Sequence, residues 1–397
     1  MFNIKHLSIP FNSVLMRVLV YWSLGGVGGV QRFDALLVKA LGELGLDVTV
    51  LMPSSVDVNA LRRFHGVDFG VLRSIRVVRY GVVDCNNQYC GLFNSFVGNN
   101  VLNKLTSYHD LLFLDTLFLR PFRVGARIVF YLHGAVTTPR PRPTFTLKPH
   151  RLFLHSILSL GSRYDVLTRR ATRVYANSLF TAYLTESALG VRPGVLYPPI
   201  DTELIRKYAM SNKEPIVSMF ARFSSSKGQD FVIRAFSKAV SICGVEEGLE
   251  LVLMGAADDL TSLLYVRHLM KLSRELGVDR RVRFMVNPPI DTVYRVLGKS
   301  TAFIHVRPHE PFGIVVAEAM AAGAIPIVHK SGGPWIDIVK MGKYGLGFSN
   351  EEEAALGMCR AMEIAEELRD AVMERVHEFS YEVFKNRVDA IVRELNI

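Results

Sequence analysis

RVLVYWSLGGVGGVQRFDALLVKALGELGLDVTVLM, residues 17–52, decides the fold. Arg17–Trp22 is a short β-branched and aromatic run without polar alternation, the pattern of a strand buried on both faces. A glycine loop follows, Gly25-Gly26-Val27-Gly28-Gly29. Val30, Phe33, Leu37, Leu41 and Leu44 then recur at helical spacing, and Gly45 offers a left-handed C-terminal cap. Asp47–Met52 reads as the next strand. Strand, helix and strand in this order make a βαβ unit, which implies a parallel sheet.

The same alternation continues outward. Further strand patterns lie at Ile75–Tyr80, Arg127–Leu132 and Val174–Ala176. Ile200–Asn212 follows Pro198-Pro199 and reads as the crossing between two halves. Beyond it, Ile216–Phe220, Leu249–Met254, Val282–Val286, Ala302–Val306 and Ile325–Val328 are strand patterns separated by helical stretches. Asn350 before Glu351, Glu352 and Glu353 marks a helix start, with a side-chain cap and acids against the positive end of the dipole. The fold class expected is α/β, two doubly wound Rossmann-like domains facing a central cleft. Residues 1–15 read as an appendage, because Met16-Arg17-Val18-Leu19-Val20 resembles a protein start. Residues 16–205 form the first domain and 206–378 the second. Residues 379–397 form a last helix that crosses back to the first.

Composition bounds the function. The 397 residues suit two or three domains at roughly 100–200 residues each. With 49% hydrophobic and 21% charged residues, wholesale disorder is excluded. The net charge of +10 favours anionic partners such as phosphorylated small molecules or a membrane face. No uninterrupted apolar run reaches the ~18 residues of a membrane span, and the N-terminus has no secretory pattern. Aromatic and basic residues do not interleave, so nucleic acid is not an expected partner. The four cysteines, Cys85, Cys90, Cys243 and Cys359, read as free thiols in a reducing cytosol, with a Cys85–Cys90 disulfide as the alternative.

Ligands of doubly wound sheets bind beyond the C-terminal ends of strands, so the chemistry is sought there. The glycine loop suits a phosphate cradle. It lacks the third glycine of a dinucleotide fingerprint, where Gln31 stands, and the next strand ends on Met52-Pro53 without an acid, which disfavours NAD. RPHEPFGIVVAEAMAAGAIPIVHKSGGP, residues 307–334, is the strongest segment. Glu310 follows a strand, and Glu318 lies on the helix beyond it. The amides of Phe312, Gly313 and Ile314 at that helix start suit an anion. Arg222 and Lys227, in FARFSSSKGQD at residues 220–230, make a plausible diphosphate clamp. His133 ends another strand. Between Arg140 and Arg173 stand eight basic residues against one acid, around an apolar patch that includes Leu154, Ile157 and Leu158 beside Arg151. That pattern reads as an anionic-membrane surface or as the basic face of a core helix. No D-x-D, H-E-x-x-H or cysteine cluster argues for a metal site, and none is expected.

Glu310, seven residues, then Glu318 resembles the signature of the retaining family-4 glycosyltransferases of GT-B fold. Gly25–Gly29, His133, Asn177-Ser178, Pro198–Asp201, Arg222 and Lys227 fit the same resemblance. Phe284–Pro289, Asp291, and the run His329–Pro334 with Asp337-Ile338-Val339 resemble its GDP-mannose-dependent α-1,2-mannosyltransferases, which extend dolichol-linked oligosaccharides. The resemblance implies a hexosyltransferase that retains configuration and needs no metal or other cofactor beyond its nucleotide-sugar co-substrate. Arg222 and Lys227 would hold the departing diphosphate, helped by Gly28, Gly29 and the Phe312–Ile314 amides. Glu318 would accept from ribose hydroxyls, Glu310 from donor-sugar hydroxyls, and His133 would stand at the reaction centre. Asn287 would flank the base. The partners implied are a nucleotide sugar, a polyprenyl- or dolichyl-linked glycan acceptor and an anionic membrane surface. The place implied is the cytoplasmic membrane face, peripherally bound. A UDP-sugar donor and a non-catalytic sugar-nucleotide-binding module are the alternatives.

Overall fold

The computed structural model describes residues 16–22, 28–57, 74–81, 97–98, 100–115, 126–134, 171–243 and 248–395. These fall into two compact units. Residues 16–131, 171–173 and 388–395 belong to the first, and residues 132–134 and 174–387 to the second.

Seven parallel strands make the first sheet: β1 (Arg17–Tyr21), β2 (Asp47–Pro53), β3 (Ile75–Tyr80), β4 (Leu111–Leu114), β5 (Arg127–Leu132), β6 (Arg173–Ala176) and β7 (Gly194–Val195). Their spatial order is β3-β2-β1-β4-β5-β6-β7. Val18, Leu19 and Val20 are buried, as a strand covered on both faces requires. Helix α1 (Gly29–Glu43) turns Phe33, Leu37 and Leu41 inward, and Phe33 stacks on Tyr131 at 3.9 Å between ring centroids. Strand, helix and strand, β1, α1 and β2, thus follow one another as the sequence reading expects. Helix α2 (Leu179–Leu189) follows β6, with Ser178 at its N-cap accepting from the Thr181 amide.

The second sheet is built from β8 (Glu214–Phe220), β9 (Glu250–Gly255), β10 (Val282–Val286), β11 (Ser300–His305), β12 (Ile325–His329) and β13 (Leu346–Phe348). Each strand read from the sequence lies within two residues of its observed bounds. The order is β10-β9-β8-β11-β12-β13, again parallel. Helices α3 (Thr202–Arg206), α4 (Gln229–Ile242), α5 (Leu260–Glu275), α6 (Ile290–Lys299), α7 (Ile314–Ala321), α8 (Glu351–Arg375) and α9 (Tyr381–Glu394) complete the chain. Asn350 caps α8 by accepting from the Glu353 amide at 2.8 Å, as its sequence indicates. The strand order reverses direction between β8 and β11. Such a switch point leaves a crevice at the strand ends, where ligands bind. The loops leaving β8 and β11 carry Arg222, Lys227 and Glu310.

One sequence expectation is corrected. Cys243 and Cys359 are not free thiols; they form a disulfide with a Cα–Cα distance of 5.5 Å. Cys243 caps the end of α4 and Cys359 lies on α8, which packs along it. Cys85 and Cys90 lie outside the described residues. So do the appendage 1–15, the loop residues 23–27 and the basic stretch from Arg140 to Arg170, with Arg151, Leu154, Ile157 and Leu158. Among the described residues no helix is long and apolar enough to cross a membrane.

Candidate active site

The loop after β8 brings two cations forward. Arg222 is exposed and Lys227 half-buried. Gln229, buried at the start of α4, donates from Nε2 to the Arg222 carbonyl at 2.9 Å and so pins the loop. Among the described residues neither Arg222 nor Lys227 forms an ion pair with a carboxylate. Burial lowers the Lys227 ammonium below the usual lysine range. Arg307 and Arg222 add to that lowering, and the pull of Glu310 opposes it. A half-buried lysine crowded by arginines is an electrostatic vacancy for an anion.

Glu310 leaves β11 on the adjacent loop. Its Oε2 accepts from Arg307 Nη1 at 3.1 Å. His305 Nε2 is buried 3.8 Å from the same oxygen, beyond hydrogen-bond length. Burial opposes ionisation of Glu310, but His305, Arg307 and Lys227 outweigh it and hold the carboxyl down at about 2. Glu310 is therefore a fixed carboxylate at neutral pH, an acceptor for hydroxyl groups rather than a proton donor.

Two glycines fix this loop. The Gly333 amide donates to the Glu310 carbonyl at 2.8 Å. A Cβ on Gly333 would stand 2.2 Å from the Pro311 carbonyl oxygen, and one on Gly332 would stand 2.6 Å from that of Glu310. Only glycine permits backbones to approach so closely. Gly313 caps α7 in the left-handed region, and Ile314 opens that helix. The Phe312 side chain is buried against the rings of Tyr197 and Phe379, at 5.6 and 5.3 Å, so its contribution to a ligand is its backbone. Glu318 is buried on α7, and its Oε1 accepts from the Tyr294 hydroxyl at 3.2 Å.

The remaining candidates separate into side chains and supports. Asn287, with a φ of 51°, follows β10; its Oδ1 accepts from the Ala257 amide at 2.9 Å. Its side chain thus ties two strand-end loops together. His133 follows β5, and its carbonyl accepts from Asn177 Nδ2 at 2.7 Å. Next to it, a Cβ on Gly134 would touch Pro311 at 3.4 Å, so the His133 and Glu310 segments lie side by side. In the first unit, Gly28 donates its amide to Gln31 Oε1 at 2.9 Å, the half of a capping box that a glycine can make, before Gly29 opens α1. Buried Asp34 on the same helix has its carboxyl pushed well above the usual range, by burial first and Asp115 second. The sequence reading passed over Arg307, His305, Gln229 and Asp34. Arg307 and His305 were discoverable as neighbours of Glu310 on the same strand end; the others carry no local signal.

Residues 201–378 match the family model described as glycosyl transferases, group 1. The human GDP-Man:Man(3)GlcNAc(2)-PP-Dol alpha-1,2-mannosyltransferase is 36% identical over 151 residues, which are 36% of this chain and 31% of that enzyme. The enzyme of the same name from Candida glabrata is 28% identical over 318 residues, 72% of this chain and 62% of its own length. The aligned residues span 31% to 37% of the human, Xenopus laevis and mouse enzymes, so the chain matches about a third of these relatives. Among solved structures, HepE from Anabaena in complex with UDP superimposes with a TM-score of 0.70 at 18% identity, covering 96% of this chain and 100% of its own. Sucrose-phosphate synthase from Thermosynechococcus elongatus gives 0.71 at 17%, covering 96% and 99%. The matched segment therefore sits in a chain that shares the GT-B fold of these structures, the fold that the Glu-x7-Glu resemblance implies.

Proposed function

We propose that this chain is a retaining, metal-independent hexosyltransferase that moves mannose from GDP-mannose to a polyprenyl- or dolichyl-linked glycan. The observation that carries this reading is the pair Arg222 and Lys227, left without a carboxylate partner at the β8–β11 switch point beside the ionised Glu310. Two cations suit a diphosphate that gains charge as it leaves, and this electrostatic stabilisation demands no protein nucleophile. Glu310, held as an acceptor, suits the hydroxyls of the transferred sugar. Buried Glu318 suits the ribose hydroxyls, and His133 stands beside the Glu310 loop at the reacting centre. Mannose and the lipid-linked acceptor are favoured by the names of the curated relatives. The UDP held by HepE supports the second reading, a UDP-sugar donor on the same site.

A thermal-shift panel of GDP, GDP-mannose, UDP and UDP-glucose without added metal separates the two. A shift confined to the guanine ligands is expected. A shift confined to the uridine ligands replaces the donor, and no shift at all removes the transferase reading. Arg222→Ala and Lys227→Ala each delete a charge-assisted contact worth ~1.5–3 kcal/mol, or about 10- to 100-fold in affinity. The loss should appear for GDP and be much smaller for GMP in titration calorimetry. Equal losses for both ligands would contradict a diphosphate clamp.

The acceptor's lipid places the enzyme at a membrane. The basic and apolar stretch from Arg140 to Arg173 is the segment whose composition suits an anionic bilayer surface on the cytoplasmic side. Serine at Leu154, Ile157 and Leu158 together should reduce co-sedimentation with phosphatidylserine vesicles while leaving GDP binding intact. Unchanged sedimentation would remove this segment as the membrane contact.

A further inference from the structure

Asp337 is fully buried in a π-helical turn, Pro334–Ile338, that the mechanism above does not use. Turns of this kind are rare and recur at functional sites. Its carboxylate accepts two hydrogen bonds from a neighbouring helix start and one from a tyrosine. Oδ1 accepts from the Leu179 amide at 2.7 Å and from the Tyr197 hydroxyl at 2.9 Å. Oδ2 accepts from the Phe180 amide at 3.2 Å. Leu179 and Phe180 are the first two residues of α2, and the third amide, of Thr181, is met by Ser178 at 3.0 Å. Amides that a helix start leaves unsatisfied are thus met by a carboxylate 158 residues away in the sequence.

Both flanks of this contact lead to candidate site residues. Before α2, Asn177 holds His133 from two sides: its amide donates to the Leu132 carbonyl at 3.0 Å and its Nδ2 to the His133 carbonyl at 2.7 Å. Before the π-helical turn, Gly333 holds the Glu310 carbonyl, and Pro334 lies against Gly313. Phe180 stacks on His309, next to Glu310, with ring centroids 6.3 Å apart. The turn is braced from behind. Arg375 donates to the Asp337 carbonyl at 2.6 Å and to that of Ile338 at 3.2 Å, and the Arg387 guanidinium lies 5.4 Å from the Tyr197 ring centroid.

We infer that Asp337 is a positioning residue for sugar transfer: through α2 and Asn177 it sets His133 against the Glu310 loop. This inference rests on the transferase reading above. It assigns Asp337 no contact with the donor and leaves the diphosphate clamp outside its reach.

Asp337→Asn keeps the volume but turns one acceptor into a donor facing the amide of Leu179 or Phe180. Misplacing a reacting group by ~1 Å costs about 100-fold in rate. The expected result is a kcat for mannosyl transfer lower by about 10- to 100-fold, with GDP affinity within about twofold of the parent. In a His133→Ala background the same substitution should add less than about threefold, because its effect runs through that histidine. Full, multiplicative losses in the double variant would overturn the inference, as would loss of GDP binding in step with kcat. Tyr197→Phe, which deletes one of the three bonds and no charge, should show the same pattern more weakly; an unchanged kcat there combined with a wild-type kcat for Asp337→Asn ends the proposal. The His133 ring resonance, followed by 13Cε1-histidine NMR, supplies a readout independent of turnover. If the parent transfers no sugar, the transferase reading fails. The resonance then still decides positioning: a shift in Asp337→Asn supports it, and an unmoved resonance overturns it.

Discussion

Glu310→Gln leaves a folded protein that binds GDP but has lost sugar transfer. The substitution preserves shape and removes one charge. In the parent that charge is fixed: Glu310 accepts from Arg307 and faces His305, and with Lys227 these hold its carboxyl at about 2. An amide cannot accept from a sugar hydroxyl on both of its atoms, and it no longer balances Arg307 and Lys227. Deleting one preorganised electrostatic contact costs roughly 100- to 1,000-fold in kcat, and that is the expected loss. GDP carries no transferred sugar, so its dissociation constant should change by less than about threefold. Turnover within tenfold of the parent would remove Glu310 from the reaction. The pH dependence follows from the same charge. A carboxyl with a depressed folded-state value contributes stability that is present above its unfolded value and lost as pH falls through about 2. Glu310 should therefore add no acidic limb to the kcat/KM profile between about pH 4 and 8. A limb in that window that disappears in Glu310→Gln would show that the carboxyl titrates there, against the structure.

What the sequence made legible was local. The two strands and the helix of the βαβ unit need only periodicity, and they stand as read. The strands of the second sheet are β-branched runs with helical stretches between them, and their positions follow from the same periodicity. Glu310 and Glu318 are joined by one strand end and one short helix, so their spacing already carries their geometry. The Asn350 cap and its three following acids form a motif of four residues. Partners distant in sequence left no such trace. Asp337 meets Leu179 across 158 residues, and nothing in the composition of either segment requires it. Gln229 reaches back seven residues to a carbonyl, a bond that depends on how the Arg222 loop bends. The cysteines misled for the same reason. Cys85 and Cys90 are close in sequence and drew attention, whereas Cys243 and Cys359 are joined only because α4 and α8 pack side by side.

That disulfide carries the second large effect, on stability. It closes a loop with a sequence separation of 116 residues. In the chain-entropy model a loop of this length restricts the unfolded chain by roughly 4–5 kcal/mol. At ~2–4 °C per kcal/mol for a unit of this size, Cys243→Ser should lower the melting temperature by about 10–15 °C. Ion pairs lie along the same helix pair, from Arg234 to Glu351 at 2.7 Å and from Lys238 to Glu351 at 3.1 Å. They are partly exposed and worth ~1 kcal/mol or less each, too little to replace the covalent link. Cys359→Ser should melt with Cys243→Ser, and so should the parent in excess dithiothreitol; reductant should not lower either variant further. GDP binding at 25 °C should be unaffected, because the bond stands at the far end of α4 from Lys227, roughly 20 Å away at 1.5 Å per residue. Parent protein that melts within about 2 °C with and without reductant would show that α4 and α8 are held by packing alone. Alkylation of Cys243 in the unreduced protein would show that the bond does not form.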